Sequence, residues 1–187
     1  DVSMNQIELS GAAVFNKEKM LGWLSPGETR GLMFFVEKVE FAIVTLPCPD
    51  QPDKQLSIEM KKQKFTVEPT YQNGKVKFAV KLTTTDELAE SGCTRDLSEM
   101  REELEKQLAD KLQSELVRVV EKAQKKYKVD FLKLGETFNN RYPAEWKDLR
   151  KDWEAEFVKA KVSVKVDAHI NSSVLLQRAT KTRKDLD

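Results

Sequence analysis

Gln124–Phe157 reads QKKYKVDFLKLGETFNNRYPAEWKDLRKDWEAEF, and its reading decides the fold. A helix ends near Tyr127. Val129 to Leu134 breaks the helical pattern, and Gly135 allows a sharp turn. A short segment, Thr137 to Asn140, leads to Tyr142-Pro143. Pro143 suits the first position of a new helix, because its fixed φ is helical and its missing N–H costs nothing there. Trp146, Leu149, Trp153 and Phe157 then share one face of that helix. Packing of this face on the preceding long helix is the reading preferred over an aromatic platform for a ligand.

Upstream, Asp96 to Tyr127 predicts one long helix. Leu97, Met100, Leu104, Leu108, Leu112, Leu116, Val119, Ala123 and Tyr127 recur every three or four residues. Glu102–Lys106 and Glu121–Lys125 stand four apart on the exposed side. At 1.5 Å per residue the helix would be ~48 Å long. That exceeds the radius of gyration, roughly 16 Å, of a compact domain of this size.

Further out the pattern turns to alternation. Ile7 to Phe15 predicts a strand, Lys19 to Leu24 a hairpin-like piece, and Ser25-Pro26 the start of a short helix over Thr29 to Phe35. Val39 to Leu46 is apolar on both faces and predicts a central strand. Pro47, Pro49, Asp50 and Pro52 predict a loop, and Leu56, Ile58 and Met60 a half-buried strand. Asn73-Gly74 predicts a tight hairpin turn between Phe65–Tyr71 and Lys75–Thr83. Pro69 marks its strand as an edge or a bulge. Val162, Val164, Val166, Ala168 and Ile170 form the apolar side of a last strand. The tail from 177 to 187 is expected to fray.

Wet-faced strands with short turns, and no βαβ alternation, give an α+β fold. The expectation is a mostly antiparallel sheet, with one long amphipathic helix and shorter helices layered on one face. Residues 1–187 are read as a single domain. Asp1 stands one strand from Ile7, which suggests a piece of something longer.

With 32 Lys and Arg against 31 Asp and Glu, the net charge is +1. No global field draws nucleic acid or anionic lipid. No segment reaches the ~18 apolar residues of a membrane span, and no signal peptide opens the chain.

Catalytic signatures are scarce. His169 is the one histidine and lies on the polar side of its strand, so a triad or multi-histidine metal site cannot be built within this chain. No phosphate-binding glycine loop occurs. Asp148 and Asp152, like Glu102 and Glu103, read as solvated acids rather than a glycosidase pair. Lys61, Lys62, Lys64, Lys75, Lys77 and Lys81 read as edge protection rather than a basic binding stripe. No catalytic, cofactor-binding or metal residue is assigned, no cofactor is expected, and the ligand-binding residues are unknown. Cys48 and Cys93 are read as free thiols. A bond between them would close a loop of about 45 residues and add roughly 3–5 kcal/mol.

The run Gln124, Tyr127, Asp130, Gly135, Tyr142-Pro143, Trp146, Trp153, Phe157 resembles the C-terminal domain of the Ger(x)C family, the C subunits of bacterial spore germinant receptors. Gly11-Ala12-Ala13-Val14-Phe15, Met20-Leu21-Gly22-Trp23-Leu24 and Glu28-Thr29-Arg30-Gly31 are similar to that domain's opening. The resemblance runs collinearly over roughly Ile7 to Ile170. Asn171-Ser172-Ser173 departs from it, since the family tends to place a glycine there.

The resemblance implies a lipoprotein on the outer surface of the spore inner membrane, held by an N-terminal lipid anchor that this chain lacks. It implies membrane-embedded A- and B-type subunits as partners in nutrient-triggered germination. It carries over no catalytic residues. The expected function is therefore a non-enzymatic subunit domain that docks with membrane proteins, without nucleic acid. Sheet edges, the Pro47–Asp53 loop and the ends of the long helix are the expected contact surfaces. The alternative is a domain binding an amino acid or sugar near Trp23 or Trp146. A hydrolase with a dispersed carboxylate pair is the least favoured.

Overall fold

The structure is a computed structural model and describes residues 11–37, 39 and 42–171. The start of the first expected strand (Ile7 to Ser10), Phe41, the Ser172-Ser173 turn and the tail from Gln177 lie outside the described residues. The chain divides into two compact units. One joins Asp1–Val36 to Glu115–Lys159, the other Glu37–Ser114 to Ala160–Asp187.

In the first unit, β1 (Ala12–Asn16) and β2 (Lys19–Leu24) form an antiparallel ribbon with a bulge between Val14 and Phe15. Helix α1 (Pro26–Val36) follows. Its start is a reciprocal cap: the Ser25 N–H donates to Glu28 Oε2 at 2.7 Å, and the Glu28 N–H donates to Ser25 Oγ at 3.4 Å. Two otherwise orphaned donors are thereby satisfied.

Helix α2 (Arg101–Glu121) begins in the second unit and runs into the first between Ser114 and Glu115. It starts five residues later than the periodicity predicts. Asp96 holds a turn there instead, accepting the Ser98 N–H at 2.9 Å and the Ser98 hydroxyl at 2.7 Å. Leu97, Met100, Leu104, Leu108, Leu112, Leu116, Val119 and Ala123 are all buried, as their spacing requires. Each such leucine contributes about 1.5–3 kcal/mol by leaving water. The helix ends in a π-helical turn (Lys122–Tyr127), which Lys128 closes in the left-handed region. Then come α3 (Leu134–Arg141), α4 (Pro143–Leu149, with Pro143 in its first turn), a 3₁₀ turn (Arg150–Asp152) and α5 (Trp153–Lys159).

The second unit is built on a four-stranded sheet, ordered β3 (Ala42–Cys48), β4 (Gln51–Gln72), β5 (Lys75–Ser91), β6 (Lys161–Ile170). The β3–β4 and β4–β5 pairings are antiparallel, and β5–β6 is parallel. The α+β expectation holds, with this one parallel partner as an addition. Parallel pairing was hidden because β5 and β6 stand far apart in sequence, with the helices of the first unit between them. Asn73 and Gly74 both take positive φ (52° and 71°), as the hairpin reading requires.

Three expectations change among the described residues. The Val39–Leu46 segment is not a central strand of the described sheet: β3 stands at one end of the four described strands, with Ile43 exposed on its outer face. The Pro47–Asp53 loop shrinks to the turn Pro49-Asp50, because Cys48 pairs with Gln51 in register. Cys48 and Cys93 are not free thiols but a disulfide, with Cα atoms 5.7 Å apart. The tight turn brings Cys48 to the sheet end where the chain leaves β5, a meeting that sequence spacing does not display. Pro69 keeps its expected edge character. It pairs with Phe78 of β5, and β3 reaches β4 only as far as Met60 among the described residues.

Candidate functional site

The informative residues of Gln124–Phe157 bind one another. The Asp130 carboxylate accepts the Gly135 N–H at 2.6 Å, the Leu134 N–H at 3.1 Å and the Trp153 indole N–H at 2.8 Å. It thus satisfies the first turn of α3 and fixes an indole from α5 with one side chain. Glu154 accepts the Asp130 N–H at 2.9 Å. Burial, together with the neighbouring Asp130 charge, holds the Glu154 carboxyl above its usual range although that N–H opposes the shift.

Gly135 is required by close approach. A Cβ there would lie 2.7 Å from Trp153 Nε1 and 3.0 Å from a Trp146 ring carbon. Trp146 meets Trp153 edge-to-face at 4.9 Å between centroids, and Phe138 lies 5.7 Å from Trp153. Gln124 donates to the Phe157 carbonyl at 2.8 Å. The tryptophan rings thus meet Phe138 of α3 and each other. The expected packing of their helix on the long helix is represented by the contact of Gln124 with Phe157.

The opening motif forms a second cluster. Lys122 Nζ donates to Glu28 and, at 2.9 Å, to the Trp23 carbonyl. The Tyr127 hydroxyl donates to the same carbonyl at 3.1 Å, and Gly22 leaves the space that the Tyr127 ring fills. Burial pushes Glu28 up, but Lys122 and the Ser25 donors outweigh it and hold the carboxyl below its usual range. Arg30 makes a two-pronged ion pair with the buried Glu115.

What this frame leaves outside is informative. The Trp23 backbone is fixed by two donors, yet its side chain is 65% exposed. Phe15 and Met20 face each other across the ribbon and are 53% and 39% exposed. Val14 and Leu24, on the opposite face, are buried. Lys17 and Lys19 at the turn are exposed, as are Lys126 and Lys128 beside Tyr127. The sequence marks Trp23 only through the family resemblance and the ligand-binding alternative. The signal was present in Phe15, Met20 and Trp23, which share one face once the bulge at Val14/Phe15 is counted.

Other sequence-level candidates separate. Asp148, Asp152, Glu102 and Glu103 are exposed, as their solvated reading requires, and so is His169. The lysine stripe is exposed but interrupted by acids: Lys61 pairs with Glu59 at 2.6 Å, and Lys81 with Asp167 at 3.3 Å. A shallow groove of about 570 Å³ lies beside the disulfide, lined by Thr45, Gln55, Leu56, Ser57, Glu90, Ser91 and Gly92.

Asp86 was missed. It occupies an inward position in the series Val76, Phe78, Val80, Leu82, Thr84, Asp86, and an acid in that register is the signal. Thr84 donates to it at 2.5 Å. Burial raises its carboxyl to about 6, against the opposing Thr84 hydroxyl, His169 charge and Lys61 backbone N–H.

A family model described as Spore germination B3/GerAC-like, C-terminal, matches residues 10–174. The chain belongs to this family. Among its relatives in Bacillus subtilis (strain 168), spore germination protein YndF is 27% identical over 169 residues, covering 88% of this chain and 41% of YndF. Spore germination protein KC is 25% identical over 173 residues, covering 90% of this chain and 42% of KC. The chain thus spans about two-fifths of the length of these curated relatives. The crystal structure of the GerBC protein superposes with a TM-score of 0.72 at 23% identity, covering 86% of this chain and 51% of that one, and shows the shared fold. The GerAC-like C-terminal family is thus a family of spore germination proteins, and the matched range contains both clusters described above.

Proposed function

We propose that this chain is a non-enzymatic domain of a spore germinant receptor C subunit, acting by docking with the receptor's membrane-embedded A- and B-type subunits. The observation that carries the reading is the use of the family's motif residues as a frame. Asp130, Gly135, Trp146, Trp153, Tyr127 and Glu28 are spent on holding backbone and rings in place. Function is then left to exposed surface. Among the described residues β3 and β6 stand at the two ends of the sheet, and strands in that position are of the kind that take up a partner segment.

The disulfide supports a place on the outer side of the spore inner membrane, since such bonds persist in oxidising compartments. We further read the chain as part of a longer, lipid-anchored protein. Site-specific cross-linking from Ser163 and His169 of β6 and from Thr45 of β3, in spores carrying the tagged full-length protein, tests the reading. Adducts with the A- or B-type subunit are expected. Their absence at every position, with the protein present at normal level, would sink it.

The groove beside the disulfide favours one alternative, a domain that binds an amino acid or sugar directly. Its lining includes Gln55, Ser57, Thr45 and Glu90, which offer both donors and acceptors to a polar ligand. Calorimetric titration against pooled amino acids and sugars separates the two readings. Heat that disappears in Glu90→Gln would favour this alternative.

A further inference from the structure

We propose that the outward face of the β1–β2 ribbon is a docking surface for an anionic lipid bilayer, with Phe15, Met20 and Trp23 entering the interfacial layer and lysines meeting the headgroups. Val14 and Leu24 anchor the inner face of the ribbon. Lys122 and Tyr127 clamp the Trp23 carbonyl, so the indole projects from a fixed backbone. Three large apolar side chains are thereby held out along one face of a two-stranded hairpin, Phe15 and Met20 near its turn and Trp23 near its base.

The charge around them selects the occupant. Lys17 lies in the turn beside the face and Lys19, exposed, starts the next strand on the ribbon's other side, with Glu18 as the acid between them. Lys126 and Lys128 flank Tyr127, and the Lys126 ammonium sits 5.3 Å from the centre of its ring. Aromatic residues with an apolar body and a polar edge settle at the headgroup level, and neighbouring lysines gain from anionic phosphate. Area points the same way. A stable protein interface takes about 800 Å² from each side, more than three side chains present. An interfacial bilayer contact works with a few aromatics and a basic rim. The reading is independent of the assembly proposed above, because vesicles contain no receptor subunits.

Flotation of the 187-residue chain with vesicles of phosphatidylcholine, with and without phosphatidylglycerol, tests it. Binding is expected to the phosphatidylglycerol vesicles, to weaken as salt is raised, and to be far weaker without the anionic lipid. Brominated lipid should quench Trp23 emission, and Trp23→Phe should abolish that quenching. Phe15→Ser combined with Met20→Ser should lower partitioning at least tenfold with an unchanged melting temperature. If that variant does not fold, Lys17→Ala with Lys19→Ala on the exposed turn serves, with a loss of about fivefold per lysine. The proposal is overturned if the unaltered chain fails to float with phosphatidylglycerol vesicles at low salt, or if folded variants bind as well as it does. It is equally overturned if a cross-linker at Met20 captures a second copy or a membrane protein instead of lipid.

Discussion

The carboxylate of Asp130 accepts the indole N–H of Trp153 at 2.8 Å, across 23 residues of chain. The same carboxylate satisfies two backbone donors at the start of α3. Replacing it with alanine strands all three. Asp130→Ala is expected to lower stability by about 2–3 kcal/mol, and Asp130→Asn by less, since one amide oxygen remains. Urea unfolding followed by circular dichroism measures both; a loss under about 0.5 kcal/mol for the alanine variant would contradict this account.

Gly135→Ala drives a methyl group into the Trp153 and Trp146 rings. A cost of about 1–3 kcal/mol is expected. In combination with Trp153→Phe, which removes the ring atoms nearest that methyl, the cost should shrink. A double-mutant cycle reads the coupling, and simple additivity would show that the close approach is unimportant.

Joining Cys48 to Cys93 constrains the unfolded chain across 45 positions. Chain-entropy reasoning gives about 3–5 kcal/mol for such a loop. Denatured, unreduced protein should show no reactive thiol, and reduction should lower the melting temperature. Thiols titrating without reductant would refute the pairing.

Asp86 is buried in the sheet with its carboxyl raised to about 6. The unfolded chain ionises near 3.8, so between those values the folded state holds a proton that the unfolded state has lost. The contribution of Asp86 to stability therefore falls as pH rises from about 4 to 6, and the penalty is complete above that. Asp86→Asn, which can still accept from Thr84, should be more stable than the unaltered protein at pH 7 by about 2–3 kcal/mol. The two should converge near pH 4. Parallel stability curves for the two proteins would disprove the assignment.

Legibility in the sequence followed the range of the interaction. Period and turn chemistry are local, and they placed the α2 leucines, the Asn73-Gly74 hairpin, the Pro143 helix start and the inward residues of β6. Pairing is not local. β3 reads as central because both its faces are apolar, yet its outer face is left exposed at Ile43. The β5–β6 partnership and the Cys48–Cys93 bond depend on segments that meet only after the chain has folded. At the candidate site, Trp23 was conspicuous but unplaced, because its exposure follows from donors on Lys122 and Tyr127, about a hundred residues downstream. Asp86 was legible in principle from the alternation of β5, but the surrounding acids and lysines, nearly all solvated, drew no notice to it.

The chain visits its two units in alternation, each assembled from two separated stretches. Neither can be released by a single proteolytic cut, and a nascent polypeptide completes neither until the ribosome has passed the α5 region. A premature stop between α2 and β6 would leave β5 without its parallel neighbour. Early termination should therefore yield aggregation-prone sheet edges instead of a smaller working module.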